Sequence, residues 1–74
     1  MRFVFEVIRR LDMKSLGQVI AYGAYLQEAA DPGWKVKRVI ICQELDEFVR
    51  RACELVGVNV FQISGENVQR VTSG

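Results

Sequence analysis

Apolar residues crowd residues 2–9, RFVFEVIR, in a pattern of period two. Phe3, Phe5 and Val7 fall on one side and Val4, Glu6 and Ile8 on the other. Such alternation predicts a strand, because successive side chains of extended backbone leave opposite faces. Both sides are largely apolar, so the strand is expected to be covered on both faces, with Glu6 as the polar residue in its middle.

The period then lengthens. Leu16, Val19, Ile20, Gly23 and Ala24 recur at helical spacing and predict a helix from Asp12 to about Ala30. Asp12 can cap its start. Ser15 with Gln18 also fits a capping box, which would begin the helix three residues later. Gly17, Ala21, Gly23 and Ala24 are small, and each glycine inside a helix costs roughly 1 kcal/mol relative to alanine. Close packing against a sheet, a helix or a second subunit would account for that cost. Asp31-Pro32-Gly33 signals a turn.

A second strand is expected over 35–42, KVKRVIIC, whose VIIC run suits a central parallel strand. A second helix follows, with Leu45, Phe48, Val49, Ala52, Leu55 and Val56 as its apolar stripe. Asp46 with Arg50, and Glu47 with Arg51, have i, i+4 spacing and read as pairs on a solvated face. Gly57 is placed to end this helix. Residues 58–63, VNVFQI, predict a third strand, and ENVQRVTSG after the Ser64-Gly65 turn reads as a short terminal strand or a tail.

The order β-α-β-α-β defines an α/β domain with a mainly parallel sheet, right-handed crossovers and two helices. The chain is one domain, residues 1–74, with its core in 1–63 and the terminal strand or tail in 64–74. If the strands lie in sequence order, both helices cover one face and leave an apolar face bare. That arrangement predicts a homodimer or a higher oligomer. A sheet with the first strand in the middle would put one helix on each face and remove the need.

Composition adds limits. A chain of 74 residues buries only about 60% of its unfolded surface, so half of its residues being hydrophobic is a high share. Ten Lys and Arg balance nine Asp and Glu, so no global basic field points to nucleic acid. The absence of His removes the commonest general base and metal nitrogen ligand. Cys42 and Cys53 lack metal-site spacing and are expected as buried core thiols. No apolar run reaches the length of a membrane span and the first residues lack a signal-peptide layout, so a cytoplasmic protein without a membrane partner is expected.

Glu6 on the first strand is followed by Gln18 and Tyr22, four residues apart on the first helix, with Lys14 one turn before Gln18. A strand with an inward carboxylate and a following Gln-x-x-x-Tyr helix resembles the second half of the PD-(D/E)XK, restriction-endonuclease-like nuclease core. FEVI stands at the acidic strand, QVIAY on the helix, and KRVIIC, ELDEFVRRACELVGV and VNVFQI resemble the elements that close such domains. The resemblance spans about Arg2 to Ile63. It implies a three-layer-like half domain, DNA as partner, and, if active, a metal-dependent endo- or exodeoxyribonuclease with Mg²⁺ on Glu6. Gln18 and Tyr22 would orient phosphate or polar groups around the metal.

Two departures accompany it. Ile8 stands where the family has lysine, with Lys14 the nearest substitute, and the family's upstream acid has no counterpart in the five residues before Glu6. The resemblance therefore implies a DNA-associated module without a complete single-chain active site. Structural roles compete for the same residues: Gln18 in a capping box, the Tyr22 ring resting on the sheet, and Glu6 paired with Arg38. The alternative function is a non-enzymatic, oligomeric protein-interaction module. Nucleotide binding is the weakest reading, since neither strand-to-helix turn is glycine-rich.

Overall fold

A computed structural model describes residues 1–31 and 33–73. Strand β1 (Arg2–Arg10) leads to helix α1 (Met13–Ala29), strand β2 (Val36–Glu44), helix α2 (Glu47–Val56), strand β3 (Asn59–Ser64) and strand β4 (Asn67–Arg70). The sheet order is β1-β2-β3-β4. The first three strands run parallel, and β4 returns antiparallel to β3, so the sheet is mixed. The terminal segment is thus a strand over 67–70, followed by a tail.

Local chemistry sets the boundaries. Asp12 is the cap of α1, its carboxylate accepting from the Ser15 amide at 2.8 Å, so the later start at Ser15 is not the one taken. Asp46 caps α2 in the same way through the Val49 amide, at 3.1 Å. Its carboxylate is held by backbone, and Arg50 turns instead to Glu47, at 2.7 Å. The expected Asp46–Arg50 and Glu47–Arg51 pairs are therefore not made. Gly57 ends α2 with φ 77°, a left-handed conformation that favours glycine. Of the expected Asp31-Pro32-Gly33 turn, Pro32 lies outside the described residues. Trp34 donates its amide to Asp31, and the Arg2 guanidinium lies 4.6 Å from the Trp34 ring centroid.

Both helices lie on one face of the sheet. A single core joins Leu16 and Val19 of α1, Val49 and Cys53 of α2, and the strand residues Ile40, Cys42 and Val60. The cysteines are free and buried, as expected. The buried arc of α1 runs through Ser15, Leu16, Val19 and Gly23, whereas Ile20 and Ala24 are exposed. The helix leans on β2 more than on the edge strand β1, and this turns its buried arc away from Ile20 and Ala24. Around α2 the expected stripe is only partly covered. Val49 is buried and Leu45 and Ala52 are half-buried, whereas Phe48, Leu55 and Val56 are exposed. The polar flank of this helix instead holds the tail: Arg50 Nη1 donates to the Val71 carbonyl, and the Ser73 amide and hydroxyl donate to the Glu54 carboxylate.

The opposite face carries no helix. Phe3, Phe5 and Val7 point there from β1, Val39 and Ile41 from β2, Phe61 and Ile63 from β3, and Val68 from β4. The expectation that β1 is covered on both sides is met on the helix side alone.

Candidate functional site

Glu6 lies on the helix-facing side of β1 with Val4 and Ile8, and all three are half-buried. Its Cα partner on β2 is Ile40, and Arg38 pairs one step along with Val4. The Arg38 side chain runs towards α1, where an added Cβ on Gly23 would meet its Nε at 2.5 Å. No Glu6–Arg38 ion pair forms: the ion pairs among the described residues are Arg9–Glu44 and Arg50–Glu47. Lys14 is exposed in the first turn of α1, Gln18 is half-buried, and Tyr22 is exposed. Among the described residues no hydrogen bond connects Glu6, Lys14, Gln18 and Tyr22 to one another. Gln18 and Tyr22 share a helical face by their spacing, and β1 supplies Glu6 on the side that α1 covers.

These residues do not compose a divalent-metal ligand set. Mg²⁺ takes near-octahedral oxygen coordination, held by one or more carboxylates together with waters and substrate oxygens. Among the described residues no group of three or more His, Cys, Asp or Glu side chains comes together as candidate ligands. Glu6 contributes a single carboxylate, and no step through a metal is derived.

The uncovered sheet face has a different character. Its centre is a shallow hollow of about 380 Å³ bounded by Phe3, Phe5, Val39, Ile41, Phe61 and Ile63, with Val68 at the far rim. Val39 forms the buried floor. Phe3 and Phe5 stand above it, their ring centroids 5.8 Å apart in a stacked arrangement and each ring more than half exposed. Cross-strand register builds this surface: Phe5 sits opposite Val39, Ile41 opposite Phe61, and Ile63 opposite Val68. Polar residues flank the hollow: Lys37 lies opposite Phe3, and Asn59 is the register partner of Val39. Arg70 donates to Asn59 at 2.7 Å, and Arg9 approaches Glu44 at 4.0 Å.

A smaller hollow of about 250 Å³ opens at the carboxyl ends of the parallel strands, between Val7, Arg9, Ile41, Gln43 and Ile63. Open α/β sheets commonly bind ligands at such ends. Here the strand-to-helix turns lack glycine, and Gln62 Nε2 donates to the Gln43 carbonyl at 3.1 Å.

The sequence pattern marks the Phe3-Phe5-Val7 side of β1 but not Val68, because ENVQRVTSG fits a short strand and a tail equally. The Asn-Val-Gln-Arg alternation was the available signal. The pattern does not mark Thr72 either. That residue is buried, and its hydroxyl accepts from the Val60 amide at 3.0 Å, taking the place of a ladder carbonyl just beyond β4. No helix of the described residues is long and apolar enough to cross a membrane. No family model matches the sequence, and neither a curated protein nor a solved structure matches it.

Proposed function

We propose that this chain is a protein-interaction module whose working surface is the uncovered face of its sheet. The observation that carries the proposal is the continuity of that surface. Apolar side chains from all four strands meet on it, and every residue that lines its central hollow is apolar. Contiguous exposed apolar surface contributed by several strands marks interaction sites in monomeric proteins. An apolar reporter dye tests the reading. Dye fluorescence should rise on the chain when its face is free, and Phe5→Asp should abolish the rise while the far-ultraviolet spectrum is unchanged. Equal dye response in the variant would sink the proposal.

A second reading is a nuclease-related, DNA-associated module with a restriction-endonuclease-like fold, whose catalysis is lost or completed in an oligomer. Two observations favour it: the β-α-β-α-β order, and the placement of Glu6 on the side of β1 facing the helix that carries Gln18 and Tyr22. Its tests are a metal-dependent nicking assay on plasmid and branched DNA and a DNA titration at low salt. Cleavage that persists in Glu6→Ala comes from a contaminant. Contacts from Arg9, Arg10, Lys14, Lys35 and Lys37 should weaken steeply as salt rises. Failure to bind at low salt would remove this reading and leave the first untouched.

A further inference from the structure

We draw no further inference here: the strongest candidate, the uncovered face of the sheet around Phe3, Phe5 and Val39 with Lys37 beside Phe3, carries nothing, because nothing in the structure shows what covers it.

Discussion

Gly23 lies directly against the side chain of Arg38: a Cβ added to the glycine would sit 2.5 Å from Nε, 3.0 Å from Cγ and 3.2 Å from Cδ of the arginine. The stem of Arg38 crosses from β2 to α1 through the space that only a glycine leaves. This contact, within one copy of the chain, accounts for one of the two helix glycines. Gly17 has nothing within 4 Å of such a Cβ. The two positions should therefore respond oppositely to alanine. Gly17→Ala is expected to stabilise the fold by about 0.5–1 kcal/mol through helix propensity alone. Gly23→Ala is expected to lose that gain and destabilise by about 1 kcal/mol, the usual scale of overpacking. In an Arg38→Ala background the same substitution should become stabilising. Urea denaturation of the four chains forms the cycle, and an unchanged effect of Gly23→Ala when Arg38 is removed would refute the contact.

The tail beyond β4 should matter to stability out of proportion to its length. Thr72 is buried and its hydroxyl accepts from the Val60 amide, while the Val71 amide donates to the Val60 carbonyl at 2.9 Å. Thr72→Val keeps the volume and leaves a buried N–H without an acceptor, which costs about 1–3 kcal/mol. Thr72→Ser keeps the acceptor and should lose less. Chemical denaturation of both variants checks the order, and equal losses would mean that packing rather than the hydrogen bond holds the tail.

Acid should weaken the protein through three carboxylates. The Ser15 amide and hydroxyl lower the Asp12 pKa, Arg50 lowers that of Glu47, and the Ser73 hydroxyl and amide lower that of Glu54. A carboxylate whose pKa is depressed on folding stabilises the native state above its unfolded value, and that stability is lost as pH falls through the folded value. The melting temperature should thus hold from neutral pH to the ordinary carboxylate range near ~4 and decline below it. Asn is as good a helix cap as Asp. Asp12→Asn should accordingly keep the neutral-pH stability and flatten part of the acid decline.

At the alkaline end the thiols act in the opposite sense. Burial pushes Cys53 up to about 11, with Cys42 adding to the effect, and burial raises Cys42 as well. Their protonated forms belong to the fold. Stability is complete below the unfolded thiol value of ~8.5 and falls as pH rises from there towards the folded values. Both thiols should resist alkylation in the native protein and react together on denaturation. Fast reaction of either under native conditions would place it at the surface.

Glu6 has a structural consequence whichever function holds. β1 is an edge strand of nine residues, long enough to pair with another copy of itself. Full-length antiparallel pairing of two β1 strands would set Glu6 opposite Glu6, and like charges directly opposite are destabilising. Inward-pointing charge is a known protection of sheet edges. Glu6→Val should therefore promote concentration-dependent aggregation with increased thioflavin fluorescence, and Glu6→Gln should do so less. A Glu6→Val chain as soluble as the native one would refute the protective role.

Much of the fold was legible because its elements carry their own punctuation. Asp12, Asp46 and Gly57 mark helix ends by side-chain and backbone chemistry that acts locally. Strand order was not legible. The Val4-Glu6-Ile8 side and the Phe3-Phe5-Val7 side of β1 are both apolar enough to face a helix, so the residues of β1 fit either an edge or a central place. The docking of the tail on Arg50 and Glu54 was equally hidden, since it joins residues some twenty apart in sequence. The Glu6, Lys14, Gln18 and Tyr22 set rests on the resemblance to the nuclease core, in which Gln-x-x-x-Tyr spacing places Gln18 and Tyr22 on one helical face. Spacing fixes which helical residues share a face and says nothing of how far a strand carboxylate lies from them.

The single antiparallel turn at β4 gives the sheet two unlike edges. One is a long strand with a charge at its centre, and the other is a four-residue strand braced by Arg70 and Asn59. Short strands and central charges both discourage lateral extension. With helices over the back, the domain is left with a single apolar direction of approach from the sheet, perpendicular to it. A flat surface can therefore meet the sheet across that face but not extend it sideways.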